Sequence, residues 1–146
     1  MQYVLGFMFS EDRRQVALIR KDRPEWQKGK FNAPGGKVEP GETPSDAMVR
    51  EFSEETGYQT ESSGWSPFAR IEGKGENKEP YEVYCFVTVG DLRNIRRTED
   101  EVPWIVEVDK VSLQRSEMVG NLPWLVHMAL DHLTDGGPGF TLITYP

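Results

Sequence analysis

Apolar residues run through positions 2–9 and again through 15–20, separated by the polar stretch Ser10-Glu11-Asp12-Arg13-Arg14. Two short runs of β-prone residues joined by so polar a link predict a pair of antiparallel strands and a hairpin loop. Between Lys21 and Gly41 the pattern dissolves. Pro24, Gly29, Pro34, Gly35, Gly36, Pro40 and Gly41 are too many breakers for a helix and leave no alternation for a long strand. Helical spacing then takes over. Thr43 is placed to cap a helix that starts at Pro44, Asp46 stands three residues after the cap, and Ala47, Met48, Val49 and Phe52 are apolar until Gly57 stops the element.

Beyond the helix, residues 65–71 and 81–89 predict a strand pair around the polar, Gly-containing tip 72–80, and 104–108 predicts another strand. A second helix is expected over 122–133, with Pro123 near its start, and a last strand over 140–145 after the break Gly136-Gly137-Pro138-Gly139. No repeat, low-complexity stretch or linker divides the chain, so residues 1–146 read as one domain. The order β-β-α-β-β-β-α-β predicts an α/β fold, a mixed sheet sandwiched between helices on its two faces.

Composition narrows the functional classes. With 146 residues, 37% hydrophobic and 11% aromatic, the chain has the side chains for a packed core. No apolar run has the length of a membrane span, and the first ten residues lack the basic flank and cleavage site of a signal peptide, which predicts a cytoplasmic protein. Cys85 is the single cysteine and lies in the apolar run 83–89, so no internal disulfide forms and core packing is favoured over nucleophilic chemistry. Twenty-four acidic against 17 basic residues, a net charge of -7, disfavour sequence-independent binding of nucleic acid. The surplus carboxylates suit a cation better.

Three of those carboxylates are clustered. Glu51, Glu54 and Glu55 stand at i, i+3 and i+4 on the expected helix and share one side of it, where they repel one another unless a positive charge intervenes. All-oxygen ligation with no nearby His or Cys selects Mg²⁺ or Mn²⁺ over zinc or copper. His127 and His132 fall on the other helix and form no zinc pattern. A solvated acidic face is the competing reading. The approach through Gly35-Gly36-Lys37 favours the cation, because a Gly-rich turn lets backbone groups come close to an ion or a phosphate. Arg50, four residues before Glu54, and Glu42, just before the cap, are placed to brace loop against helix.

Taken together, Gly36-Lys37-Val38-Glu39-Pro40-Gly41-Glu42 and, after seven residues, Arg50-Glu51-Phe52-Ser53-Glu54-Glu55-Thr56-Gly57-Tyr58 resemble the signature of the Nudix hydrolases, G-x5-E-x7-R-E-U-x-E-E-x-G-U, over 23 consecutive residues. Only Tyr58 departs, standing where an aliphatic residue is usual. The resemblance implies a Nudix fold, a curved mixed sheet between helices, that holds Mg²⁺ to hydrolyse a nucleoside diphosphate linked to another group. It also implies metal ligation by the Gly35 carbonyl and by Glu51, Glu54 and Glu55, with Glu42 and Arg50 structural. Glu101, in Thr98-Glu99-Asp100-Glu101, stands where the family often adds a loop carboxylate, with a solvated loop residue as the alternative. Glu54, then Glu101, are the candidate general bases. Arg20, Lys21 and Arg23 are candidate phosphate clamps, or simply solubilising charges.

The segment around Phe31-Asn32-Ala33-Pro34-Gly35-Gly36-Lys37 is similar to the MutT-like, purine nucleoside triphosphate branch, which implies that Asn32 helps read the base and puts Lys37 beside the substrate. Asn32 has both donor and acceptor for a purine edge, and Trp26, Tyr81 and Trp124 offer stacking or lining surfaces, or core packing. The paired Asp that reads an oxidised purine in that branch is replaced by Gly120 and Asn121, and the proline that marks ADP-ribose hydrolases is replaced by Gly73. The implied activity is conversion of a (deoxy)nucleoside triphosphate to monophosphate and pyrophosphate. Dinucleotide polyphosphates, nucleotide sugars and a non-catalytic nucleotide-binding role are the alternatives. Monomer and homodimer both stay open.

Overall fold

The computed structural model describes residues 1–99, 101–135 and 139–146. Asp100 of the acidic stretch, and residues 136–138 of the expected break before the last strand, lie outside the described residues. Among the described residues eight strands form one mixed sheet: β1 (Gln2–Phe9), β2 (Gln15–Arg20), β3 (Phe31–Asn32), β4 (Gly35–Lys37), β5 (Ser66–Lys74), β6 (Pro80–Val89), β7 (Val102–Glu107) and β8 (Thr141–Thr144). Three α-helices accompany them there, α1 (Pro44–Thr56), α2 (Val108–Leu113) and α3 (Leu122–Asp135). The sheet runs β3-β2-β1-β6-β5-β8, with β4 attached to β1 and β7 to β2. Its spine is the parallel pair β1 and β6, in register from Gln2 opposite Glu82 to Phe9 opposite Val89.

Strand alternation sorts the core into two layers. Val4 and Met8 of β1, Ala17 of β2 and Phe86 of β6 meet Ala47, Met48 and Phe52 of α1 on one face. Phe7 and Phe9, Val16 and Leu18, and Cys85 and Val87 point the other way, against Val108 and Val111 of α2 and Leu122, Leu125, Val126 and Ala129 of α3. The α/β/α sandwich expected from the sequence is therefore present. Cys85 is a core residue whose thiol is pushed up to about 12 by burial.

Local chemistry sets the bounds of α1. The Thr43 hydroxyl accepts from the Asp46 amide at 3.1 Å, Pro44 occupies the first turn, and Gly57 closes the helix in the left-handed region at φ 69°. Tyr58, the departure from the family pattern, packs edge-on against Phe52 with ring centroids 6.1 Å apart.

Three features differ from the sequence reading. Residues 35–37, expected as loop, form β4, because their backbone pairs with Tyr3 to Leu5 of β1 and pairing needs no side-chain pattern. The strand expected to reach Val108 stops at Glu107, and Val108 opens α2, burying Val108 and Val111 against the sheet. The long partner of β2 is β7, antiparallel from Gln15 opposite Glu107 to Arg20 opposite Val102, whereas β1 and β2 register only at Phe9 opposite Val16.

Candidate active site

β4 brings the backbone of Gly35 and Gly36 against α1. A Cβ on Gly35 would overlap the Val4 carbonyl, so strand pairing requires glycine there, and one on Gly36 would meet the Glu51 carboxylate and displace that side chain. The Gly35 amide donates to Glu55 Oε2 at 3.2 Å. Backbone of the Gly-rich turn and two helix carboxylates are thus in contact before any ligand is considered.

Arg50 organises the junction. Its Nε donates to Glu42 Oε1 at 2.6 Å and its Nη2 to Glu42 Oε2 at 2.9 Å, a two-point fork, while Nη2 also donates to the Lys37 carbonyl at 2.9 Å. The remaining nitrogen, Nη1, reaches Glu51 Oε1 at 2.8 Å and Glu54 Oε2 at 3.3 Å. Glu42 also accepts from the Glu39 amide at 2.9 Å. Hydrogen bonding to Arg50 holds the Glu42 carboxyl down at about 2.

The three helix carboxylates occupy different environments. Glu54 has half of its side chain exposed, Glu51 is largely covered, and Glu55 is buried at 7% exposure. Burial pushes the Glu55 carboxyl up to about 8, against the pull of Lys21 and the Gly35 amide, and neighbouring Glu101 and Glu51 add to the rise. Glu51 is raised as well, first by burial. Glu101 is also mostly covered, and its carboxylate lies 3.6 Å from Lys21 Nζ. Lys21, Glu55 and Glu101 therefore belong to one electrostatic cluster.

A divalent cation fits this donor set in chemistry. The donors are hard oxygens, and two carboxyls held above their ordinary range by burial would be relieved by a positive charge. Among the described residues no three acidic, His or Cys side chains converge at metal-binding distance, because Arg50 draws Glu51 and Glu54 to itself and Glu55 turns to the Gly35 amide.

Beside Gly35 and Gly36 opens a largely apolar cavity of about 540 Å³, lined by Tyr3, Leu5, Trp26, Asn32, Ile71, Tyr81, Val83 and Asn121, with Lys21 at its edge. Asn32 is fixed there: its Oδ1 accepts from the Ala33 amide at 2.9 Å, leaving its Nδ2 hydrogens as donors. Asn121, at one of the two positions where the resembled branch reads the base, lines the cavity, and so does Tyr3, which was not expected there; alternation along β1, which puts Tyr3 and Leu5 opposite the α1 face, is the signal for Tyr3.

Three residues sought for the substrate lie elsewhere. Trp124 is 56% exposed on α3, because its neighbours Leu122, Leu125 and Val126 take the sheet-facing side of the helix. Lys37 is exposed and meets Arg50 through its carbonyl. Arg23 is exposed and lines neither this cavity nor the groove next to it. Arg20 faces that groove, its Nε bound to the Gly29 carbonyl at 3.1 Å.

The NUDIX domain family model matches residues 2–125, and the chain belongs to the Nudix family. It is 33% identical over 72 residues to the 8-oxo-dGTP diphosphatase of Escherichia coli, covering 49% of this chain and 54% of that protein. Mouse ADP-sugar pyrophosphatase is 32% identical over 81 residues, covering 56% of this chain and 37% of that one. The chain thus spans less than two thirds of the length of these relatives. In fold it is similar to the Nudix domain of Shewanella oneidensis NrtR complexed with ADP ribose, with a TM-score of 0.76 at 13% identity, over 92% of this chain and 88% of that one.

Proposed function

We propose that this single Nudix domain hydrolyses a nucleoside triphosphate, a purine or modified deoxynucleotide, to the monophosphate and pyrophosphate, with Mg²⁺ or Mn²⁺ as its metal. The observation that carries the reading is that buried Glu55 accepts from the Gly35 amide and Glu51 lies beside Gly36, two glycines that also line the apolar cavity holding Asn32. The Gly35 carbonyl and Glu51, Glu54, Glu55 and Glu101 would hold the metal. When bound, it supplies charge neutralisation on the phosphates and a lowered pKa for water.

The protein's own groups do the rest. Tyr3, Tyr81 and the aliphatic lining take the base, and Asn32, whose Oδ1 already accepts from the Ala33 amide, offers its Nδ2 hydrogens to an acceptor on the purine edge such as guanine O6. Lys21 lies between cavity and carboxylates and is placed to hold a phosphate oxygen. Both candidates are ion-paired, Glu54 with Arg50 and Glu101 with Lys21, and Glu54 is the better general base because half of its side chain is open to solvent whereas Glu101 is covered. Water adds at phosphorus, its proton passes to Glu54, and the phosphoanhydride bond breaks.

The names of relatives favour a second reading, hydrolysis of ADP-ribose or a nucleotide sugar. One assay separates them: chromatographic identification of the products, with Mg²⁺ and with EDTA, from the common nucleoside triphosphates, oxidised dGTP and ADP-ribose. Metal-dependent pyrophosphate from a triphosphate supports the first reading. Monophosphates from ADP-ribose alone support the second, and a bound nucleotide without turnover rejects both. A cytoplasmic setting suits a nucleotide substrate, and among the described residues no helix is long and apolar enough to cross a membrane.

A further inference from the structure

Gly73 stands inside β5, and nothing in its own backbone calls for glycine. Its φ lies outside the left-handed region that Gly57 occupies, and a strand interior disfavours a residue with no side chain to pack. The reason lies across the strand pair. Gly73 is directly opposite Tyr81 of β6 in the antiparallel register, and a Cβ at position 73 would stand 2.5 Å from the Tyr81 hydroxyl oxygen, 2.7 Å from Cζ and 3.0 Å from Cε1. The phenol therefore lies across β5, resting on the bare backbone of Gly73.

That posture matters because Tyr81 belongs to two cavities. It lines the apolar cavity beside Gly35 and Gly36, with Ile71 and Val83, and also a shallow outer groove of about 350 Å³ that includes Gly73, Lys74 and Tyr145. The ring is the partition between them. Ile71 and Gly73, at i and i+2, face the same side of the sheet, which is the side of the apolar cavity. A side chain at position 73 would lift the ring off the strand on that side, into the space a base would fill. Gly35 is a different case, since there the obstacle is the Val4 backbone. At Gly73 it is the outer end of a side chain, which gives way, so the fold survives substitution and the cost falls on the cavity.

We propose that Gly73 is a specificity-determining positioning residue: by leaving Tyr81 room to recline on β5 it sets the size of the base cavity, and with it the preference for a purine over a pyrimidine nucleotide. The inference rests on the reading above that places the base in this cavity. The new part is that the discrimination is set by a residue that touches no substrate. A ring that merely shields a strand glycine would make the same contact and carry no dependence on the base.

Calorimetric titration in EDTA with GTP and with CTP, which share the triphosphate, isolates the contribution of the base. The parent should bind GTP tighter. Gly73→Ala should lower the ratio of GTP to CTP affinity about tenfold, the scale on which a methylene-sized change in an apolar pocket acts. Adding Gly73→Ala to Tyr81→Leu, where no ring is left to displace, should leave the ratio within about twofold of Tyr81→Leu alone. Tyr81→Phe removes the atom nearest the new methyl group and should restore part of the ratio to Gly73→Ala; this pair carries the comparison if Gly73→Ala alone does not fold in a melting scan. Equal affinities of the parent for GTP and CTP, no binding of either, an equal loss of both in Gly73→Ala, or additive effects of Gly73→Ala and Tyr81→Leu would overturn the proposal. Absence of turnover on every nucleotide with these ratios as expected would instead sink the catalytic reading and leave the role of Gly73 standing.

Discussion

The Glu55 carboxyl gives a quantitative prediction that runs against the usual expectation for a site residue: Glu55→Gln should stabilise the metal-free protein. An unfolded Glu ionises near 4.5, and burial holds the folded group at about 8. Below the lower value both states are protonated and the shift costs nothing. As pH climbs towards 8 the unfolded state loses its proton first, so the folded state is progressively penalised. The penalty is about 1 kcal/mol at pH 5 and about 4 kcal/mol at pH 7.5. Gln keeps the shape, its oxygen can still accept from the Gly35 amide, and it never ionises. A chain of this size shifts by roughly 3 °C per kcal/mol. Melting scans in EDTA should therefore show the variant gaining about 10 °C on the parent between pH 5 and pH 7.5. Mg²⁺ should raise the parent's Tm at pH 7.5 more than the variant's, and the variant should lose most metal-dependent turnover. A Tm difference that stays the same at both pH values would refute the buried-carboxyl reasoning, whatever the activity does.

Other perturbations follow from the same geometry. Glu42→Gln removes the charge from the fork on Arg50 and should cost about 2 kcal/mol in urea titrations at pH 7. Because the folded carboxyl is held near 2, that deficit should shrink as pH falls from 4.5 towards 2, and a deficit independent of pH would reject the ion pair as its source. Gly36→Ala places a methyl group on the Glu51 carboxylate and should lower turnover while changing Tm little; Gly35→Ala meets the Val4 backbone and should cost at least about 2 kcal/mol of stability. Turnover unchanged in Gly36→Ala would remove Glu51 from the site. Asn32→Ala should slow purine nucleotides more than pyrimidine ones, and equal losses on all bases would reject its reading role.

What could be read from the sequence was what is written locally. Thr43, Asp46 and Gly57 fix α1 through contacts within a few residues, and the spacing of Glu51, Glu54 and Glu55 follows from helical periodicity alone. Other features depend on partners distant in the chain. Gly35 to Lys37 carry no side-chain pattern, and only pairing with β1 makes them a strand. Val108 to Leu113 is six residues long, too short for periodicity to separate a helix from the end of a strand. Trp124 was assigned to the substrate by residue type, but its rotation about α3 is set by which neighbours the sheet covers. The reach of Arg50 to Glu42 and to Glu54 was expected from their spacing, whereas its contacts with Glu51 and the Lys37 carbonyl depend on how loop and helix meet, which spacing along one helix does not specify.

That division of Arg50 has a kinetic consequence. Two nitrogens of Arg50 stay anchored on Glu42 and the Lys37 carbonyl while the third alone holds Glu51 and Glu54. The loop is thus already docked, and releasing the two carboxylates takes only rotamer changes, which are far faster than loop closure. The speed at which the site loads should then be set by how readily the incoming ion sheds its hydration water, with reluctant Mg²⁺ slow. In rapid-mixing experiments the rate should differ between ions and barely respond to solvent viscosity.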